Sequence, residues 1–236
     1  MFLDIETVPA TAKFADLSPE LAHLWADKFN VLKKRLPEKY EDGTTPEQAY
    51  EKSAGIYSEF GKIICISVGF IHVEDGRRTL RVKSFAGDDE VQVLKDFSGL
   101  VEKISKTKDQ LLCGHNIKEF DVPYICRRML INGLPLPLYL QLSGKKPWEI
   151  PFLDTLELWK FGDAKNYTSL KLLTEVLDIP TPKDDIDGSQ VAEVYYVEKN
   201  IRRIVTYCQK DVAATAQVFL KLNGLPTITE EDIVFV

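Results

Sequence analysis

Three short segments, far apart in the chain, carry residue types suited to one kind of chemistry. They are Phe2-Leu-Asp4-Ile-Glu6-Thr7, His115-Asn116-Ile-Lys-Glu-Phe120-Asp121 and Tyr207-Cys-Gln-Lys-Asp211. Four acids, Asp4, Glu6, Asp121 and Asp211, with no dedicated base, compose a hard-cation site of the kind that serves phosphodiester chemistry. Asp4 and Glu6 are two apart, so a strand presents both on one face. Tyr207 and Asp211 are four apart, so a helix puts phenol and carboxylate on one face. Each segment alone also has an ordinary reading. Alternating acids suit a solvent-facing edge, although Phe2, Leu3 and Ile5 argue for a central strand, where unpaired acids are costly. Asp121, ahead of Val122-Pro123, suits a helix cap, Asn116 a turn, Phe120 a core position, and Tyr207 with Asp211 a solvated helix face.

The elements that must position these residues follow from local signals. Met1 to Ile5 reads as a strand, ended by Pro9. Residues from about 10 to 58 read as a helical stretch, with Ser18-Pro19 and Thr45-Pro46 each placing a cap residue before a first-turn proline. Ile63 to Val73 and Thr79 to Phe85 form a hairpin across Glu74-Asp75-Gly76. A helix opens at Gly87-Asp88, with acids in its first turn and Val91, Leu94, Phe97, Val101 and Ile104 at helical spacing. Gln110 to Gly114 is a short strand, and Val122 to Asn132 a helix stopped by Gly133. The prolines between Leu134 and Pro151 exclude a regular helix there. Helices are expected at Asp154 to Lys160, Ser169 to Leu177, Ser189 to Tyr196 and Val197 to Leu222; Thr227 to Val236 carries no clear signal. The order describes an α/β chain with a mixed sheet.

Composition narrows the classes. Apolar residues make up 44% and charged residues 28%, which suits a globular chain with a real core. A net charge of −6 argues against coating nucleic acid through a global positive field. Cys65, Cys113, Cys126 and Cys208 form no CxxC pair and read as reduced core thiols. The longest apolar run, Ile63 to Ile71, is far short of the roughly 20 residues that cross a bilayer, and nothing at the start resembles a signal peptide. A cytoplasmic address is the expectation.

The three segments, in this order and with tyrosine in the third, resemble the exonuclease motifs DxE, Nx3FD and Yx3D of the DEDD superfamily. The likeness extends through Gly114 to Asn132, Gly144-Lys-Lys-Pro-Trp148, Asn166-Tyr-Thr-Ser-Leu170 and Ile179-Pro-Thr-Pro-Lys-Asp-Asp-Ile-Asp-Gly188. These stretches resemble the predicted 3′-to-5′ exonuclease family related to the proofreading domain of family B DNA polymerases. That resemblance implies a single ribonuclease H-like α/β domain over residues 1–236, with a mixed five-stranded sheet flanked by helices and a helical insertion over about 10–58. The family's first strand is central; here only four residues precede Ile5, so this strand is expected to be short or to continue upstream.

The resemblance also assigns roles. Asp4, Glu6, Asp121 and Asp211 would hold two divalent cations, Mg2+ or Mn2+, with Asp4 bridging both and Asp121 acting through water. Tyr207, whose ordinary pKa of about 10 makes it a poor base, would position the attacking water together with Glu6. Asn116 and Phe120 would contact the last nucleotides and Thr7 the 3′ end. Lys165, Lys171, Lys183 and above all Lys210 are candidate phosphate contacts, and Phe120 and Tyr167 candidate stacking residues. The implied reaction removes nucleotides stepwise from the 3′ end of single-stranded DNA, in repair or proofreading. An RNA-trimming exonuclease with the same site is the nearest rival. A catalytically silent nucleic-acid-binding module predicts a missing acid, whereas all four are present.

Overall fold

A computed structural model describes residues 1–41, 43–105, 111–163, 167–180 and 185–236. Its centre is a mixed sheet of strands β1 (Phe2–Pro9), β2 (Gly61–Glu74), β3 (Arg77–Ala86), β4 (Cys113–Gly114), β5 (Leu153–Asp154) and β6 (Ile233–Phe235). Their order is β5-β4-β1-β2-β3-β6, six strands rather than the expected five. The additional strand comes from the C-terminal segment that carries no clear sequence signal: Ile233 to Phe235 lie parallel to Leu80–Val82 on the β3 edge. β1, β2 and β3 form an antiparallel meander, and β4 and β5 extend it in parallel from the other side of β1. The first strand is therefore central, and this is the ribonuclease H-like arrangement.

β1 runs past Ile5 to Pro9 because Thr7 and Val8 continue the ladder with Ile63 and Lys62. A bulge lies between Glu6 and Thr7, where Ile64 is the extra residue on β2. Asp75 (φ +49°) and Gly76 (φ +79°) both take the left-handed conformation required by the tight two-residue turn of the β2–β3 hairpin.

Helices α3 (Glu90–Ile104) and α4 (Asp121–Ile131) cover one face of the sheet. Their buried Val93, Leu94, Phe97, Val122 and Ile125 pack with Leu3, Ile5, Ile63 and Ile66; Val93, rather than Val91, lies on the buried stripe. Asp89 caps α3, accepting from the Gln92 amide, while Glu90 is drawn inward. There it accepts from the Ile63 amide and from Arg128 of α4, so one buried carboxylate ties both helices to β2.

The opposite face is covered by α7 (Val191–Tyr196) and α8 (Ile201–Leu222). Phe2 packs with Val212 and Ala216 of α8; Val8 and Ile64 pack with Val194 of α7 and with Ile204 and Cys208 of α8. α8 starts at Ile201, not Val197, because Lys199 turns left-handed (φ +54°) and Asn200 supplies the cap. Short helices α5 (Thr155–Lys160) and α6 (Leu170–Val176) follow β5.

The stretch between β1 and β2 holds α1 (Pro19–Arg35) and α2 (Pro46–Ser53), capped by Ser18 and Thr45 with proline in the first turn of each. Thr45 and Gln48 form a capping box. Trp25, Phe29, Tyr50 and Phe60 give this insertion a small core of its own. It joins the sheet at Gly61, where a Cβ would meet the Tyr124 hydroxyl at 2.2 Å and the Gly55 carbonyl at 2.7 Å, so only glycine fits.

Candidate functional site

Asp4 and Glu6 project from the central strand toward α8, on the same face as Phe2 and Val8. Glu6 is 7% exposed, although nothing about a lone glutamate favours burial. From α8, the Cys208 thiol donates to Asp4 Oδ2 at 3.2 Å, and ligand atoms of Asp4, Glu6 and Cys208 all lie within 4.8 Å of one another.

Asp121 arrives from the other side of β1. β4 is two residues long and pairs with β1 only at Phe2, so the ladder stops before Ile5. The Ile5 amide donates instead to Asp121 Oδ1 at 3.2 Å. Asp121 is thus the first residue of α4, with Phe120 at the cap position, and its carboxylate accepts both from its own amide at the helix start and from the neighbouring strand. Asp121 therefore stands one residue inside the cap position that the sequence suggested, and its carboxylate serves the helix start and β1 together.

The loop leading to α4 is clamped by Asp154, which the sequence reading placed only at a helix start. Its buried carboxylate accepts from the amides of Asn116 (2.9 Å), Lys118 (3.2 Å) and Leu156 (3.0 Å), capping α5 and gripping the loop at once. Asn116 sits left-handed (φ +62°), as a turn residue does, and its carbonyl accepts from the Phe120 amide. His115 Nε2 faces the Thr168 carbonyl at 2.9 Å and so carries the proton, while Nδ1 faces Thr155 Oγ1 at 2.9 Å. Burial lowers the His115 pKa, which leaves a neutral, doubly anchored ring rather than a base.

Tyr207 and Asp211 are on one face of α8, and their side chains hydrogen-bond. Thr7 lies past the bulge, with its side chain against the Tyr124 hydroxyl. Phe120 is half-buried on the α3–α4 side with its ring 5.5 Å from that of Tyr124. Lys210 is half-buried beside Asp211, and Lys171 is exposed. Tyr167 is 67% exposed, its ring 6.3 Å from His115. Lys165, Asn166 and Lys183 lie outside the described residues.

Electrostatics join the acids into one cluster. Burial raises Asp4 well above the usual carboxylate range, and Asp211 and Asp121 raise it further. Glu6 is raised by burial, then by Asp4 and Asp211. Burial pushes Asp121 up to about 7 against the pull of two amide hydrogen bonds. Among the described residues no lysine or arginine forms an ion pair with Asp4, Glu6 or Asp121. Mutually repelling, buried carboxylates lacking a basic partner fit a divalent cation, and their oxygens suit a hard one. The Cys208 thiol, raised well above its usual pKa first by burial, stays protonated and serves as a donor to Asp4 rather than as a soft ligand. Nothing in the spacing of Cys208 distinguishes it from a core thiol; its contact with Asp4 spans 204 positions.

Comparison with known proteins gives the chain its relatives. A family model described as "Predicted 3'-5' exonuclease related to the exonuclease domain of PolB" matches residues 56–232, which include Asp121, Tyr207 and Asp211 but not β1. A Frog virus 3 (isolate Goorha) protein named "Putative DNA polymerase 060R" is 24% identical over 157 residues, covering 56% of this chain and 15% of that protein. The family B DNA polymerase from the hyperthermophilic archaeon Pyrobaculum calidifontis is similar at 15% identity with a TM-score of 0.49, over 68% of this chain and 21% of that one. The chain thus spans a small part of the length of either polymerase. By the family match, it belongs to the predicted 3′-to-5′ exonuclease family related to the exonuclease domain of the family B DNA polymerases.

Proposed function

We propose that this chain is one exonuclease domain that hydrolyses nucleotides from the 3′ end of single-stranded DNA. In this reading Asp4, Glu6, Asp121 and Asp211 hold two divalent cations, Mg2+ or Mn2+. The observation that carries it is the carboxylate cluster, buried and, among the described residues, without an ion-paired base at Asp4, Glu6 or Asp121. When bound, the cations supply water activation and charge stabilisation at the leaving oxygen.

The chain's own residues do the rest. Tyr207, whose pKa is raised first by burial and then by Asp211, Glu6 and Asp4, keeps its proton at neutral pH. It is a positioning residue: its proton goes to Asp211, its oxygen faces the water, and with Glu6 it orients the water whose oxygen forms the new bond to phosphorus as the P–O3′ bond breaks. A 5′ mononucleotide leaves, and the shortened strand keeps its 3′ hydroxyl. Cys208 holds Asp4 in place, and Asp154 holds the loop that ends at Asp121. Asn116 and Phe120 contact the terminal nucleotides, Thr7 the 3′ end and Lys210 a phosphate. Four free thiols agree with a reducing, cytoplasmic setting, and repair or polymerase-associated proofreading are the roles such an activity serves.

The test is a time course on one oligonucleotide labelled at either end, in DNA and RNA versions, with and without Mg2+ or Mn2+. The 3′ label should leave at once as a mononucleotide while the 5′ label descends a ladder, faster on DNA. Asp211→Asn should remove this activity by more than the roughly 10–100-fold that outer-shell changes cost, with the circular dichroism spectrum unaltered. Activity of that variant equal to the parent's would take Asp211 out of the mechanism.

A further inference from the structure

A polar cleft of about 460 Å3 is lined by Lys62, Asp88, Tyr195, Tyr196, Lys199 and Ile201. None of these residues has a part in the chemistry assigned to the acids. A cleft of this volume is within the range of small-ligand sites.

Its place in the fold is set by β1. Lys62 stands opposite Val8 in the ladder, two positions past Glu6, and Val8 packs with Tyr195 and Ile64 on the face of the sheet that also bears Asp4 and Glu6. Two strand positions and one step across the sheet amount to roughly 7 Å and 5 Å. A single strand anchored at the acids covers that distance within one or two nucleotides.

The lining is basic and built in advance. Lys62 Nζ donates to the Tyr195 hydroxyl at 3.0 Å, which donates to Asp88 Oδ1 at 2.7 Å, so one of three ammonium protons is engaged. The same ammonium lies 4.8 Å from the Tyr195 ring centre and 5.6 Å from that of Tyr196. Lys199 approaches the Tyr196 ring at 5.7 Å from its left-handed position and has no carboxylate ion-pair partner among the described residues. The tyrosine rings meet edge to face at 4.9 Å, and Tyr196 is tied to the Pro9 carbonyl at the end of β1. Ile201 begins α8, whose first turn contains no acid, so the positive end of its dipole adds to the lysines. Burial works against the charge on Lys62, and Lys199 adds to that effect, while Asp88 and Glu90 favour it. Two ammonium groups line the cleft with one acid, Asp88, while Glu90 behind it is already paired with Arg128, which leaves room for an anion.

We propose that this cleft is a phosphate-binding subsite for the backbone of the strand whose 3′ end occupies the acid cluster. The assignment rests on the exonuclease reading. A phosphate there accepts from Lys62 and Lys199 together, and the tyrosine platform keeps both ammonium groups in position, which reduces the ordering cost of binding. The same chemistry also suits the phosphate of a free mononucleotide, and the experiment separates the two sources.

Lys199→Gln is the clean probe, because Lys62 also holds the relay between β2 and α7. Affinity for an eight-nucleotide DNA strand is measured against salt concentration in the Asp211→Asn background, with thymidine monophosphate as a second ligand and thermal melting as a control. Strand affinity should fall about 3–10-fold at 0.15 M salt, and the slope of log affinity against log salt should lessen by about 0.7, the contribution of one phosphate. Lys199→Glu should lose more. Unchanged affinity and slope in both variants, with the parent still shortening strands, would overturn the subsite alone. Weaker thymidine monophosphate binding with the strand unaffected would assign the cleft to a free nucleotide and overturn the strand reading. A parent that neither binds nor shortens DNA would bring down the exonuclease reading as well.

Discussion

Tyr207 shows how the site shapes a side chain's role. Burial and the negative charges of Asp211, Glu6 and Asp4 all disfavour the phenolate, so the hydroxyl remains a donor across the neutral range. Tyr207→Phe should therefore slow hydrolysis by about 10–100-fold while altering strand affinity by less than about 3-fold. Single-turnover rates beside binding isotherms test this; losses of equal size in both would contradict the positioning role. The relation between Tyr207 and Asp211 is readable from their spacing, and so is the common face of Asp4 and Glu6, because both follow from the period of one element. Cys208 is not readable this way: its partner, Asp4, is distant in sequence, and only the packing of α8 on β1 brings them into contact.

The second motif depends on elements that stop early. β4 ends after Gly114, the chain turns left-handed at Asn116, and α4 begins with Asp121 in the space that the ladder vacates beside Ile5. Asp154 is the fastener of this arrangement, since the amides of Asn116 and Lys118 have its carboxylate as their acceptor. Asp154→Ala should destabilise the protein by about 2–4 kcal/mol, because orphaned amides cost about 1–3 kcal/mol each. It should also reduce the nuclease rate at temperatures where the variant is still folded, whereas Asp154→Asn, which keeps one oxygen acceptor, should lose less of both. Urea unfolding together with rates corrected for folded fraction gives the comparison; an Asp154→Ala protein with parental stability would remove the fastener role. The helix beginning at Asp154 is legible in the sequence as a cap, but its grip on a loop 38 positions upstream is not.

For the molecule as a whole, the acid cluster sets a pH dependence opposite to that of a salt-bridged carboxylate. Asp121 is raised from its ordinary 3.8 to about 7, so its contribution is fully present below about 4 and is lost as pH rises through 7. Asp4 and Glu6 are raised in the same sense and act in the same direction. The metal-free protein should accordingly melt at a lower temperature at pH 8 than at pH 5. Mn2+ or Mg2+ should restore the loss at pH 8 and do little at pH 5, as follows when a ligand binds only the folded, deprotonated form. Melting curves on a pH and metal grid check this; a flat profile without response to either ion would count against a cation site.

Sequence alone determined the strand that begins the chain, the hairpin, the capped starts of α1 and α2 and the residue types of the motifs, because alternation, helical period and capping are local. Tertiary structure alone decided that Ile233 to Phe235 would add an edge strand, that Asp121 would serve Ile5 as well as the start of its own helix, and that Cys208 and Asp154 would support the acids. Those outcomes depend on where neighbouring elements end and on which face packs against which. They are long-range pairings, and no short-range pattern in the chain encodes them.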